Sequence, residues 1–178
     1  IGAGGDYATM TAAAAALTAN GISGPTSFLI KTGTYNESTV LGSITGAGPA
    51  NHVRFVAQSG NAADVVLTFA ATTAGTDPVI LLSGAQYVDF DSLTITSTGA
   101  ASNGSLVWLA STTRTDRFQS CILNTAGQNR NGIAASAGVQ DSLAVIGCQF
   151  ILPAAGSRAV FLISPTPSTG VSILNNVI

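Results

Sequence analysis

Apolar residues in this chain recur in a fixed frame. Phe90, Leu93 and Ile95, inside Tyr87–Thr96, set it. The frame returns as Phe118, Cys121 and Leu123, then Val145, Cys148 and Phe150, then Ile173, Asn176 and Ile178. Its first members, Phe90, Phe118, Val145 and Ile173, are separated by 28, 27 and 28 residues. A constant period of that length, carried by β-forming residues, marks a repeat whose units bury their faces only against neighbouring units. The pattern predicts an all-β fold, a parallel β-helix of three sheets with one turn per period. Phe90, Phe118, Val145 and Ile173 should stack in one interior file, and Leu93, Cys121, Cys148 and Asn176 in another.

Before the repeats, residues 6–21 read as a helix. Asp6 or Thr9 can cap its start, Asn20-Gly21 supplies a left-handed stop, and Met10, Ala13 or Ala14, and Leu17 form one apolar face. One helix ahead of many strands suits a cap over the open end of a solenoid. The solenoid itself is expected over residues 28–178 as a single segment without a linker. Strand signals run through Phe28–Lys31, Thr39–Ile44, His52–Ala57 and Val65–Phe69. A third strand per turn follows at Val79–Ser83, Leu106–Ser111, Ile133–Ala137 and Val160–Ser164. The final strand pattern reaches Ile178 itself, so the chain is expected to be a piece of a longer, processed protein. A leucine-rich repeat would show spaced leucines and alternating helices, and a β-sandwich gives no reason for a constant period.

Composition narrows the function classes. Of the 178 residues only 8% are charged and 46% are hydrophobic, with a net charge of −2. The six basic residues are scattered, so no nucleic-acid partner is expected. No apolar run approaches the roughly 18 residues that span a bilayer, so no membrane insertion is expected. Cys121 and Cys148 hold equivalent places in consecutive turns, about 4.8 Å apart by rung spacing. They read as stacked buried thiols; a disulfide is the alternative, and further metal ligands are missing.

Two segments carry a family resemblance: GGDYATMTAAAAAL, and GISGPTSFLIKTGTYNES beginning at Gly21. They resemble the opening of right-handed parallel β-helix domains of the pectin-lyase-like superfamily, where a capping helix leads into a first strand and a G-T-Y-x-E turn. Here that turn is Gly33-Thr34-Tyr35 with Glu37. The GxSGP run Gly21–Pro25 and the turn Gln58–Asn61 are similar to a variant found in large bacterial proteins exported by the type IX secretion system. The likeness covers residues 2–99, and the later turns by pattern. It implies a secreted or cell-surface location. The fold hosts lyases, esterases, adhesins and passive stalks alike.

Candidate chemistry is sparse. Val139–Leu143 resembles the Q-D-T-L motif of pectin methylesterases, with Asp141 in the place of the general acid. The next turn, RAVFLIS, lacks the nucleophilic carboxylate. Asp89 and Asp91 flank inward Phe90 and so point outward together, with Arg117 and Gln119 expected one rung on. The plain reading is a surface ion-pair ladder, and the sharper one is a carbohydrate or Ca²⁺ contact made by Asp89, Asp91 and Arg117. Two ligands are too few for calcium, and no metal, cofactor or catalytic residue is assigned. His52 reads as a surface-turn histidine with no nucleophile partner. Thr94 and Thr96 do not continue into later turns, which excludes an ice-binding threonine row.

Alternation on the third strands points Ile80, Leu82, Trp108, Ala135 and Leu162 inward. It sends Val79, Leu81, Val107, Leu109, Phe161 and Ile163 outward as an apolar interaction surface. The occupant is expected to be another domain of the same protein, a folded-over loop, or another surface chain. The expected function is a non-catalytic structural or adhesive module. The alternative is a polysaccharide-binding or polysaccharide-active β-helix whose site lies mostly outside this segment.

Overall fold

The computed structural model describes residues 1–72, 77–99, 104–126, 130–135, 138–163 and 167–178. It is a parallel three-sheet solenoid of about five turns with one N-terminal helix. The first face has six strands: Thr26–Ile30, Val53–Ala57, Val88–Asp91, Arg117–Gln119, Ala144–Ile146 and Ser172–Leu174. The second has Gly33–Asn36, Val65–Phe69, Thr94–Ser97, Ile122–Asn124 and Gln149–Ile151. The third has Thr39–Leu41, Ile80–Leu82, Ser105–Leu109, Asn131–Ala135 and Val160–Leu162. The expected extensions of this face to residues 136–137 and 164 lie outside the described residues. Among the described residues no helix is long and apolar enough to cross a membrane.

The register brings the predicted files together. Phe28, Phe55, Phe90, Phe118, Val145 and Ile173 are successive ladder partners on the first face. Four of them form a continuous ring stack, with centroids 5.0, 5.5 and 5.0 Å apart and planes within 14° of parallel. Tyr7 closes the stack by tilting against Phe28 at 5.7 Å. Each such contact adds about 0.5–1.5 kcal/mol beyond burial of the area. In the second file Cys121 and Cys148 are free, buried thiols donating to the carbonyls of Phe90 and Phe118. The adjacent Cys148 thiol and burial push the Cys121 thiol up, so it stays protonated and inert. Asn176 completes the file differently: its Oδ1 accepts from the Cys148 amide at 2.8 Å and its Nδ2 donates to the Val145 carbonyl at 2.9 Å.

Two columns of left-handed residues turn the chain at its corners. Tyr87, Thr115, Ser142 and Gly170 precede first-face strands; Ser92, Ser120, Gly147 and Asn175 follow them. A left-handed side-chain residue costs roughly 1 kcal/mol, so something must hold it there. Ladder bonding does: the amides of Tyr87, Thr115 and Ser142 donate to carbonyls of the next turn at 2.7–2.9 Å. Those of Ser92, Ser120 and Gly147 do so at 2.9–3.0 Å. Hydrogen bonding between turns thus runs through these left-handed residues without a break.

The helix spans Met10–Asn20, four residues shorter at its start than expected. Thr9 takes the cap and its Oγ1 accepts from the Ala12 amide at 3.0 Å. The next two donors are taken from outside the helix. Glu37 accepts from the Met10 and Thr11 amides, each at 2.8 Å. That is the physical role of Glu37 in the G-T-Y-x-E turn: its carboxylate anchors the positive end of the cap. Met10, Ala13, Ala14 and Leu17 are buried, and the helix packs beside the edge strand Thr39–Leu41.

The third face corrects the expected outward surface. Val79, Val107 and Leu109 are buried in the core, and Trp108 points outward. Ile80 pairs with Val107 and Leu82 with Leu109, a step of 27 residues, whereas the first face steps 28 from Phe90 to Phe118. One residue fewer between equivalent strands moves every side chain to the opposite face. The outward file is Val40, Leu81, Trp108, Ala134 and Phe161, with Ile163 exposed beyond it. Arg158 lies over the Phe161 ring at 4.5 Å.

Leu109→Asp places an unpaired charge in the core and is expected to destabilise the chain by more than about 3 kcal/mol. Trp108→Asp should cost about 1 kcal/mol. Urea unfolding of both variants checks the register, and equal losses would contradict it. Glu37→Ala removes both outside acceptors and should lower stability by about 1–2 kcal/mol. Faster amide exchange at Met10 and Thr11 is the specific readout.

Candidate functional site

The groove on the first face is built by alternation. Val53-Arg54-Phe55, Val88-Asp89-Phe90 and Asp116-Arg117-Phe118 occupy consecutive rungs, and in each triplet the middle residue faces out. Arg54, Asp89 and Arg117 thus form one outward column, while Val56, Asp91 and Gln119 form the next. Arg54, Asp89, Asp91, Arg117 and Gln119 line a shallow groove of about 280 Å³ over the backbone of Phe90.

Electrostatics within the groove are mutually satisfied to a large degree. The Arg54 guanidinium reaches diagonally to Asp91 Oδ2 in a close ion pair, and Ser92 Oγ donates to Asp91 Oδ1 at 2.8 Å. His52 Nδ1 lies 3.2 Å from Asp89 Oδ2, with its ring edge-on to Tyr87 at 5.5 Å. Arg117 Nε is 3.9 Å from Asp89 Oδ1, too long for a hydrogen bond but close enough for charge attraction. Asp89 Oδ1 itself is buried without a hydrogen-bond partner among the described residues. The side chains of Arg54 and Arg117 stay 48% and 44% exposed, while those of Asp89 and Asp91 are 15% and 10% exposed.

Asp89, Asp91 and Arg117 therefore come together as expected. His52 does not stand alone: it pairs with Asp89 and belongs to the site. Arg54 was missed as well. The signal for both lay in the shared triplet frame, hidden because Arg54 and Asp89 stand 35 residues apart rather than 28. Among the described residues no three His, Cys, Asp or Glu side chains are grouped as metal ligands.

Asp141 lies apart from the groove, on the short strand Gln140–Asp141 paired with Thr113–Arg114. Thr169 Oγ1 donates to it at 2.7 Å, Ser142 Oγ at 3.3 Å, and Arg114 Nε is 3.4 Å away. The Thr169 hydrogen bond, helped by Ser142 and Arg114, holds its carboxyl below the usual carboxylate range. A group kept ionised in this way is a poor proton donor.

Two interior polar residues also escaped the sequence reading. Arg130 is fully buried and fits because Gly104 leaves it room; a Cβ there would stand 2.9 Å from Nη1. Burial pulls its pKa down, and the charge of Asp77 opposes that. Asp116 is equally buried, in an apolar file. Comparison with known proteins finds no matching protein family, no matching curated protein and no matching solved structure.

A double-mutant cycle of Arg54→Ala and Asp91→Asn should give a coupling of about 0.5–1 kcal/mol that shrinks as salt is raised. The longer Arg117–Asp89 contact should couple more weakly. Thermal unfolding at two ionic strengths measures both.

Proposed function

We propose that this chain is a non-catalytic structural or adhesive β-helix module of a secreted or cell-surface protein, pectin-lyase-like in kind and exported by the type IX secretion system. The resemblance over residues 2–99 supports the family and the export route. The observation that carries the function is the pairing inside the groove. Asp89 sits between His52 and Arg117, and Asp91 is held by Arg54 and Ser92. Glycan hydrolysis or elimination needs carboxyls or bases divided into proton donor and acceptor, and here both oxygens of Asp91 already accept hydrogen bonds while Asp89 is flanked by His52 and Arg117. Asp141 is biased toward its ionised form, opposite to what a general acid requires. The partners fitting this reading are other domains of the same protein or another surface chain, met along Leu81, Trp108, Phe161 and Ile163.

A polysaccharide-binding role is the second reading, favoured by one observation. Trp108 faces outward, in line with Phe161 one alanine away on the same file. Aromatic rings on an outer face can stack on sugar rings.

Incubating the purified chain with methyl-esterified pectin and with polygalacturonate tests the proposal. Neither methanol nor unsaturated product is expected. Turnover abolished by Asp141→Asn would overturn it. Retention on insoluble polysaccharide that disappears in Trp108→Ala would decide for the second reading.

A further inference from the structure

The groove on the first face leaves one demand unmet. Asp89 Oδ2 lies 3.2 Å from His52 Nδ1, but Asp89 Oδ1 is buried without a hydrogen-bond partner among the described residues. Arg117 Nε stands 3.9 Å from that oxygen, beyond hydrogen-bond reach, and 44% of the Arg117 side chain is exposed. A carboxylate oxygen accepts and a guanidinium offers five N–H donors, so an acceptor and a set of donors face each other across an open gap. Gln119 lines the same groove and carries a donor group and an acceptor at the end of one side chain.

A group that fills such a gap must give and accept at one small centre. A hydroxyl does both: its proton goes to Asp89 Oδ1 and its lone pairs take an Arg117 N–H. An amide divides those tasks between two atoms, and a methyl performs neither. Two hydrogen bonds of about 2.8 Å meeting at a hydroxyl oxygen span about 4.5 Å. The half-exposed Arg117 therefore has only a short outward swing to make from 3.9 Å, one that widens the way to the buried oxygen. Charge selects as well. The groove is lined by the guanidiniums of Arg54 and Arg117 and the carboxylates of Asp89 and Asp91. An anion reaching Asp89 Oδ1 meets like charge, and a cation there is set beside Arg117. A neutral ligand avoids both penalties.

We propose that this groove binds a neutral polyol, a sugar ring presenting hydroxyls on adjacent carbons. One hydroxyl bridges Asp89 Oδ1 and Arg117, and the next meets the Gln119 side-chain amide. His52 steadies Asp89 from the side, and Arg54 with Ser92 keeps Asp91 occupied. The volume of about 280 Å³ and the open shape suit one ring lying along the column rather than a deep pocket. The site lies on a different sheet from Trp108 and Phe161 and does not rest on the reading those rings support.

NMR titration of the whole chain with methyl glucoside tests the site through the Arg117 Nε–H and Gln119 side-chain amide signals. Both should shift and saturate, with half-saturation on the order of 1–10 mM for a ligand of that size. Glucuronate and methylammonium, the anionic and cationic probes, should bind more weakly. Asp89→Ala should weaken the response at Arg117 at least about tenfold, since it removes the charged acceptor. Should that variant fail to fold, the order of the three probes on the native chain still decides. Absence of a saturable shift at Arg117 and Gln119, a response unchanged in Asp89→Ala, or tighter binding of either charged probe would overturn the proposal. Shifts confined to the Trp108 indole would overturn it too, while supporting sugar binding on the third face.

Discussion

Everything in this molecule depends on the parallel ladder, which fixes the residues one period away as each residue's nearest neighbours at about 4.8 Å. A ring can stack on a ring there, as the four phenylalanines do, and Phe118 ends that stack against Val145. A thiol meets a thiol, and a left-handed corner meets a left-handed corner. The stacking also decides what is expensive. A polar group placed in an interior file finds apolar side chains on both sides, and its partners must come from the backbone or from other files. Asp116 accepts from the backbone amide of Val88 one turn before it, and Arg130 lies against Gly104.

The same geometry makes the outer groove. Rung spacing aligns Arg54, Asp89 and Arg117 into alternating charge, which neutralises itself along the column. The diagonal step from Arg54 to Asp91 leaves Asp89 shared between His52 and a distant Arg117. A surface of this kind is orderly and nearly neutral. The proposed structural role draws on this pairing, since bond cleavage requires groups held away from their preferred partners.

Much of the fold was legible because periodicity is a property of the whole chain and tolerates local noise. Phe90, Phe118, Val145 and Ile173 share a file simply because they share a spacing. The third face was misread where the spacing changed by one residue, since alternation converts a single slip into a full inversion. Val107 and Leu109 went to the wrong side for that reason, and Trp108 with them. The candidate site was half legible. Asp89, Asp91 and Arg117 lay within regular turns, while His52 and Arg54 lay beyond an enlarged turn that hid their alignment. Asp116 gave no signal at all, because a lone aspartate before a strand looks like any corner residue until its burial is known.

The two kinds of corner differ in how much length they absorb. From first to second face the chain passes in two intervening residues in most turns, as between Asp91 and Thr94, Gln119 and Ile122, and Ile146 and Gln149. From second to third face the gaps vary, from Asn36–Thr39 to Phe69–Ile80. One edge of the solenoid is thus a rigid spine, where an added residue would break a hydrogen-bonded column. The opposite edge is free to lengthen without disturbing a single rung. The third-to-first passages vary as well, from Leu82–Val88 to Leu41–Val53. Insertions and deletions should therefore gather away from the short first-to-second corners, and related chains should diverge in outline elsewhere while those corners superimpose.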